Sequence, residues 1–477
     1  MSSLWEQTSS LPSFPTLTGE ARAEAAVIGG GLAGLLTAYL LQCAGVQVVV
    51  LERGRVGRGQ TAGTTAKITA QHGLIYHRLL EQLGEERSRQ YAHANLRSIE
   101  AYATMVRRQH MDCDFTPCTA FLFTEEDPQP LQEEYEAAKR LGIDAFLTRE
   151  TELPFPVNAL GFRDQARFHP LRFLAALAKD LTVYENSPVT EVSSDQARTP
   201  QGLVRAEKLI FTCHFPFVNV PGYFFARQHQ ERSYVLALEQ AAVLEDIYLG
   251  VSGAGLSFRS WDKYLLIGGG GHRTGENREG GQYSSLRQAA RRYWPHCREA
   301  ASWSAQDCMP IDGVPYIGPF SSGESNWFVA TGFQKWGMTS SMTAGRILCA
   351  LVQGHSAEDS EVFSPDRFRP TASAKKLAGE MGHAIEGLGR FLLEPGRIPV
   401  ENLPAGHGAI VEVDGKKAGV YRDDRGQVFA VDIRCPHLGC QLEWNPEEKS
   451  WDCPCHGSRF DYQGALLSGP AQKGLKE

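Results

Sequence analysis

The sequence is short of several things, and each shortage narrows what the chain can be. Basic residues do not outnumber acidic ones: 48 Lys and Arg stand against 55 Asp and Glu, for a net charge of −7. With no Lys/Arg block anywhere, this argues against nucleic acid as a main partner. Cysteine is scarce, 11 in 477 residues, far below a secreted scaffold built on disulfides. Seven of the eleven are scattered, which suits a reducing cytosol and a cytoplasmic protein. No apolar run reads as a membrane span, because the most apolar stretch, 23–51, is interrupted by Gly29, Gly30, Gly31, Gly34, Gln42 and Gly45. The first 24 residues lack a basic region followed by an apolar core, so they do not read as a signal peptide. The length is too great for one core and suits two or three domains.

The other four cysteines crowd together. Cys435-Pro-His437-Leu-Gly-Cys440 is followed by Cys453-Pro-Cys455-His456-Gly-Ser458, with fifteen residues between His437 and Cys453. Read as C-x-H and C-x-x-H, these are two short loops, each with one thiolate and one imidazole. Two Cys on one iron and two His on the other is the ligand set of a Rieske [2Fe–2S] cluster, in which neutral imidazoles reduce the negative charge and raise the potential. Cys435, His437, Cys453 and His456 are therefore the candidate metal ligands. One further cysteine follows in each box, so closing the boxes around a cluster would bring Cys440 and Cys455 together as a disulfide clamp. A zinc knuckle is the competing reading, but C-x-H is an uncommon zinc spacing and zinc leaves that second pair without a role.

The two boxes, with Gly469-Pro470-Ala471 behind them, resemble the Rieske proteins of respiratory quinol-oxidising complexes. In that family the Gly-Pro segment covers the cluster as a third loop. The high-potential members carry Tyr two residues after the Gly-Ser serine, whereas Phe460 stands here. Ser458 can still donate a hydrogen bond to a sulfur, but the phenolic donor is missing, so a lower potential is expected. The family usually closes with another strand or two, so the resemblance also implies a truncated terminus or a different use of the last residues.

At the other end, Ala25-Ala-Val-Ile-Gly29-Gly-Gly31-Leu-Ala-Gly34 is a strand running into G-x-G-x-x-G, followed by an apolar helix and a second buried strand, 46–51, tipped by Glu52. Gly29 permits the tight turn, Gly31 lets a pyrophosphate approach the helix N-terminus, and Gly34 lets helix and strand pack closely. Glu52, eighteen residues beyond Gly34, is placed to hold ribose hydroxyls. The stretch from Arg53 to Lys67, rich in Gly and Thr and including Gly63, Thr64 and Thr65, offers N–H groups and hydroxyls to a long cofactor. A second G-x-G-x-x-G for NAD(P)H is absent: Gly268–Gly271 is followed by no apolar helix and reads as strand-to-loop. FAD is the expected dinucleotide.

Residues 71–138 read as helical, 168–180 as an amphipathic helix, and 234–267 as strands of a separate mixed sheet, with 208–212 returning to the central sheet. Asp312-Gly-Val-Pro-Tyr-Ile-Gly318 and Ala330-Thr-Gly-Phe333 precede a helix, 341–351. Together with the N-terminal motif, these resemble the D-amino-acid-oxidase/glycine-oxidase/sarcosine-oxidase class of FAD enzymes over residues 22–354. The resemblance implies that Glu52 binds the adenosine ribose, that Val189 meets adenine through its backbone, and that Gly332 to Thr339, including Phe333 and Met338, line the flavin's pyrimidine end. With the Rieske boxes added, the whole is similar to a bacterial family of Rieske-bearing FAD oxidoreductases.

The expected architecture is α/β, a Rossmann-like FAD-binding domain with an inserted mixed-sheet substrate domain, plus a C-terminal all-β Rieske domain. Its boundaries are 22–354 for the flavin domain, with the substrate part near 72–180 and 220–305; 355–400 for a connector with a helix over 372–393; and 401–477 for the Rieske domain, with Asp414-Gly415 as a hairpin turn. The expected function is that of an FAD-dependent dehydrogenase passing electrons singly through the [2Fe–2S] cluster to an external one-electron acceptor, or receiving them from a donor: a ferredoxin, a cytochrome or a quinone-linked carrier. An amine or N-methyl amine substrate is implied by the resemblance alone. The alternative is an electron carrier or redox sensor with no dedicated organic substrate. Lys67 and Lys335 are candidate anion or flavin contacts, His72 and His272 candidate bases or substrate contacts, Trp336 a candidate pocket wall, and Cys308 a candidate flavin attachment point.

Overall fold

The computed structural model describes residues 2–253, 255–367, 382, 400–413 and 416–476. The Asp414-Gly415 turn lies outside the described residues, as does nearly all of the connector with its expected helix. Strand Gly19–Ile28 ends in four buried residues, Ala25 to Ile28, because parallel neighbours flank it on both sides. It sits in an eight-stranded sheet whose main order is Tyr316–Ser321, Glu324–Thr331, Gly202–Phe211, Gly19–Ile28, Val48–Leu51 and Thr182–Tyr184. All of these pairings are parallel except the first, an antiparallel hairpin. The expected return of 208–212 to the central sheet is thus realised beside the first strand.

Helix Leu32–Cys43 follows the first strand and is covered by helix Gly337–Val352, which begins earlier than its expected start at 341. The close helix–strand approach is visible at Gly34. A Cβ there would collide with the Gly29 carbonyl oxygen and stand 2.8 Å from Thr212 Oγ1.

A nine-stranded mixed sheet stands beside this layer, ordered Arg298–Pro310, Gln228–Glu239, Tyr264–Arg273, Ser257–Trp261, Ile247–Gly250, Thr116–Thr124, Asn158–Arg167 and Lys67–Ile68, with Ala145–Thr148 pairing on the side. Two local expectations change here. Within 71–138 there are indeed helices, Tyr76–Arg108 and Gln129–Arg140, but Thr116–Thr124 between them is a strand. Its last five residues are all buried, so the alternation that marks a half-exposed strand is missing. The Gly268–Gly271 cluster does not turn into a loop either. The strand continues to Arg273, with Gly268 and Gly269 paired to Val235 and Tyr234.

The N-terminal residues, which carry no motif, have a structural task. Ser3 and Glu6 form a capping box on the short helix Leu4–Gln7, and the fully buried Trp5 donates its indole N–H to the Thr64 carbonyl at 2.6 Å. From the other side, buried Arg259 donates to the carbonyls of Thr65 and Ala66, both at 2.7 Å. The Gly/Thr-rich loop is therefore held by side chains far away in sequence.

The C-terminal region is all β. Gly408–Val413, Lys416–Arg422 and Val428–Val431 form one antiparallel sheet, and Glu443–Asn445, Ser450–Asp452, Arg459–Asp461 and Leu466–Ser468 form another. Trp444 and Trp451, 4.9 Å apart, fill the space together with Ile410 and Phe460. Among the described residues no helix is long and apolar enough to cross a membrane.

Gly34→Val should cost about 3 kcal/mol, the upper end of the usual range for overpacking, because the collision is with backbone that cannot rotate away. Thermal denaturation of the purified variant reads this directly; an unchanged Tm would show that the close approach at Gly34 is not needed.

Candidate functional site

A cavity of about 650 Å³ opens at the C-terminal ends of the parallel strands, where Ile28–Gly29, Leu51–Glu52, Thr212–Cys213 and Thr331–Gly332 line it. Gly29 has φ +119°, and a Cβ there would stand 2.8 Å from the Thr212 carbonyl oxygen. Gly31 is the N-cap of helix Leu32–Cys43 and lines the cavity, so the helix N-terminus lies at its wall. Thr61 Oγ1 accepts from Leu32 N at 3.0 Å. The Glu52 carboxylate is oriented by two backbone donors, Gly30 N at 2.7 Å and Gly54 N at 2.8 Å. Gly63, Thr64, Thr65, Val189, Phe333 and Met338 also line the cavity. Gly34 does not; it packs the helix onto the strand. Thr339 does not either: its buried hydroxyl donates to the Thr69 carbonyl at 2.8 Å and accepts from Thr69 N at 2.9 Å, tying the helix to the strand of Lys67. A glycine-lined cradle at a helix N-terminus, with a fixed carboxylate at the tip of the next strand, fits an extended dinucleotide.

Of the candidate catalytic groups, both lysines line this cavity and neither of the two expected histidines does. Lys335 Nζ lies 2.9 Å from Asp307 Oδ2, 3.0 Å from Ser233 Oγ and 3.4 Å from Glu231 Oε2. Burial works against its charge, but Asp307 and Glu231 overcome this and hold its pKa above the ordinary lysine value. Lys67 has no carboxylate partner among the described residues; its nearest hydrogen-bonding atom is the Tyr248 carbonyl oxygen at 3.5 Å. Burial, reinforced by the Arg259 guanidinium, lowers its pKa to about 7.

His72 is buried with both nitrogens engaged: Nε2 donates to the Thr69 carbonyl and Nδ1 accepts from Tyr91 Oη, each at 2.7 Å. Trp336, which lines the cavity, stacks on the His72 ring at 4.7 Å. Burial takes the His72 pKa down to about 3, so it stays neutral. His272 is likewise engaged, with Tyr234 Oη at 3.0 Å and the Arg273 carbonyl at 2.8 Å. Cys308 is buried outside the cavity lining, and burial pushes its thiol up to about 12. The histidine that does line the cavity is His214, whose Nε2 is buried without a hydrogen-bond partner among the described residues. It follows the strand Gly202–Phe211, so the rule that ligands sit at the C-terminal ends of parallel strands could have found it.

The two cysteine–histidine boxes converge. Cys440 and Cys455 form a disulfide with Cα atoms 6.6 Å apart. The sulfurs of Cys440, Cys453 and Cys455 lie within 4.8 Å of one another, but the disulfide removes two of them from any ligand set. Cys435 and Cys453 remain as thiols and share a hydrogen bond. Ser458 hydrogen-bonds Cys435 and accepts from Ala471 N at 3.0 Å, which joins the second box to the Gly-Pro-Ala loop. The rings of His437 and His456 stand perpendicular, 4.9 Å apart. His437 Nδ1 is buried and has no hydrogen-bond partner among the described residues, while its Nε2 donates to Asn219 Oδ1 at 2.9 Å. Two adjacent thiols outside the disulfide, with an orphaned imidazole nitrogen close by, fit a two-Cys, two-His [2Fe–2S] centre.

These boxes are pressed against the flavin domain. Leu467 to Gln472 line the same cavity as Gly29 and Glu52. Arg53, exposed beside Glu52, donates to the Leu467 carbonyl at 3.3 Å. Gln230 donates to the carbonyls of His456 at 2.6 Å and Gly469 at 3.1 Å, and Gln306 to Gly457 at 2.7 Å. Beneath them lies a buried ion network. Glu448 accepts from Arg232 at 3.0 Å and meets Arg459 at 3.0 Å, and Arg459 also binds Asp452 at 3.0 Å. Burial alone would raise the Glu448 pKa, but the two guanidinium groups pull it well below the ordinary carboxylate range. Its stabilising contribution is therefore complete above the unfolded carboxylate pKa and is lost as the pH falls through the depressed folded value. Glu448→Gln leaves two buried cations short of charge and should cost roughly 3–5 kcal/mol. Thermal denaturation at pH 7 and pH 4 would show it: a variant as stable as the parent at pH 7 would contradict the network's role.

Residues 24–351 match the family model described as FAD dependent oxidoreductase, and residues 397–477 match that of the Rieske [2Fe-2S] domain. The Rieske 2Fe-2S iron-sulfur protein YhfW of Bacillus subtilis (strain 168) is 36% identical over 493 residues, covering 99% of this chain and 96% of that one. The cytochrome b6-f complex iron-sulfur subunit 2 of Trichormus variabilis is 55% identical over 42 residues, 9% of this chain and 24% of the subunit. Among solved structures, glycine oxidase from Geobacillus kaustophilus superposes with a TM-score of 0.62 at 20% identity, over 73% of this chain and 99% of that one. L-proline dehydrogenase from P. horikoshii does so with a TM-score of 0.62 at 15% identity, over 74% and 98%. At such identities the structural likeness speaks for the fold. The chain belongs to the FAD dependent oxidoreductase family, carries a Rieske [2Fe-2S] domain after its flavin domain, and is an oxidoreductase with FAD and an iron–sulfur centre as its cofactors.

Proposed function

We propose that this oxidoreductase is a dehydrogenase of a small organic substrate, an amine or N-methyl amine, whose electrons leave singly through the Rieske centre to an external one-electron acceptor. The observation that carries this reading is the shared cavity, whose wall includes both the dinucleotide-binding loops and the Gly469-Pro470 loop of the Rieske domain. When bound, the flavin takes two electrons as a hydride equivalent and the [2Fe–2S] centre carries them one at a time.

The chain's own residues divide the remaining work. Gly29, Gly31 and the helix N-terminus would hold the pyrophosphate, and Glu52, aimed by Gly30 and Gly54, the ribose hydroxyls. Cys435, Cys453, His437 and His456 would hold the irons. Lys335 is neutralised by Asp307 and Glu231, which leaves Lys67 as the cavity lysine without a carboxylate partner among the described residues. It is the group suited to hold a substrate's anionic end, and Trp336, backed by His72, would wall the pocket. The names of the structural neighbours, glycine oxidase and L-proline dehydrogenase, support a small amine of the amino-acid kind.

Anaerobic titration of the purified protein with amines, N-methyl amino acids and hydroxy acids tests the reading. Bleaching of the flavin by one of the amines, followed by the rhombic signal of a reduced Rieske centre, is the expected result. A flavin that ignores every organic donor, with a centre reducible by dithionite, would overturn it in favour of a carrier or sensor.

For a carboxylate-bearing substrate, kcat/KM should fall as the pH rises through about 7, where Lys67 loses its proton. Lys67→Met should lower kcat/KM about 10- to 100-fold below pH 7, the value of a charge-assisted hydrogen bond, and remove that limb of the profile. A profile that Lys67→Met leaves untouched would exclude the role.

A further inference from the structure

We propose that Asn219, a residue of the flavin domain, is a positioning residue for the iron–sulfur centre: its side-chain oxygen fixes the outward nitrogen of His437 and thereby tunes the centre's reduction potential from outside the Rieske domain. This rests on the reading of His437 as an iron ligand, and the experiment below separates the two.

The geometry divides the two nitrogens of the His437 ring. Nε2 donates to Asn219 Oδ1 at 2.9 Å, whereas Nδ1 is buried with no hydrogen-bond partner among the described residues. A ring whose proton is held on Nε2 presents the Nδ1 lone pair to a metal, and the partner of the non-ligating N–H orients the ring and raises its basicity. In this protein that partner comes from 218 residues away in sequence, not from the Rieske loops.

The contact is not a stray one. Asn219 lies in the segment joining strand Gly202–Phe211 to strand Gln228–Glu239, and its own carbonyl is held by Tyr223 N at 2.9 Å. The same segment lays Phe225 edge-on against both imidazoles, 6.4 Å from His437 and 5.8 Å from His456. It also lays Phe215 against His456 at 6.5 Å. Phe215 and its neighbour His214 line the dinucleotide cavity. One stretch of chain therefore touches the cavity on one side and the histidine edge of the centre on the other. The position is fixed further by Gln230, which grips the His456 and Gly469 carbonyls, and by Gly457, whose φ of +78° and lack of a side chain let it lie against Gln230.

The direction of the effect follows from charge. An acceptor on the ligand's N–H strengthens donation to the iron and favours the oxidised centre. Removing it should favour the reduced centre.

The test uses the full chain with both cofactors, as the parent and as Asn219→Ala and Asn219→Asp, purified without oxygen. Iron content, EPR g-values after dithionite and the potential from a dye-mediated titration are measured on each. Asn219→Ala is expected to move the oxidised–reduced balance about tenfold toward the reduced centre, an upward shift of about 59 mV for a one-electron couple. Asn219→Asp, nearly the same shape but with a carboxylate on the N–H, is expected to shift it downward, with unchanged iron content. Potentials equal to the parent's in both variants, or shifts of the same sign in both, would overturn the proposal. If Asn219→Ala loses its centre, Asn219→Asp alone decides: a downward shift supports the proposal, and an unchanged potential sinks it. A parent that contains zinc, or shows no rhombic signal, would instead overturn the assignment of His437 as a ligand.

Discussion

The arrangement depends on one buried set of charges, Arg232, Glu448, Arg459 and Asp452, at the junction of the two domains. Burying ions costs several kcal/mol each, and the cost is recovered only when every partner is in place with good geometry. Here the partners come from both domains: Arg232 from the nine-stranded sheet, and Glu448, Asp452 and Arg459 from the Rieske sheet. A Rieske domain detached or shifted by a few ångström would leave Arg232 buried without Glu448, while Arg459 kept its partners Glu448 and Asp452, so the Arg232–Glu448 pair favours one seating. Gln230 and Gln306, buried beside it, then read the backbone of the second cysteine–histidine box. The seating in turn makes the Gly-Pro-Ala loop a wall of the dinucleotide cavity.

This joins two chemistries that occur separately in other proteins. A dinucleotide cradle at the ends of parallel strands and a pair of metal-binding loops on an antiparallel sheet are each complete local designs. The proposed function needs the two close together, and their approach is held by side chains with no motif of their own. Arg53 is the plainest case: beside the Glu52 carboxylate, it reaches across to the Leu467 carbonyl. The pairing of Lys335 with Asp307 and Glu231 works in the same way, since it changes which lysine in the cavity is left to meet an anion.

The motifs were legible because their chemistry is local. Gly29, Gly31 and Gly34 act through a turn, a helix start and a helix–strand contact within a few residues of themselves. The disulfide of Cys440 and Cys455 was likewise readable from the spacing of the two boxes. The histidines beside the glycine-rich loops were not. His72 and His272 stand beside glycines, which suggested a site, yet each has both ring nitrogens engaged by nearby atoms. His214, carrying no motif, ends up in the cavity wall because of where its strand ends. The strand Thr116–Thr124 was hidden for a related reason: buried at the middle of its sheet, it shows a continuous apolar run without period.

By itself the sequence determined the two cofactor classes and the order of a flavin domain followed by a Rieske domain, since each of these is encoded in residues adjacent along the chain. Only the tertiary structure decided which cavity lysine has no carboxylate partner among the described residues, which histidine faces the cavity, and that His437 is met by Asn219 from the flavin domain. The physical reason is that hydrogen bonds and ion pairs act over about 3 Å, while the residues that make these contacts stand tens to hundreds of positions apart and meet only when the two sheets and the Rieske domain close on one another.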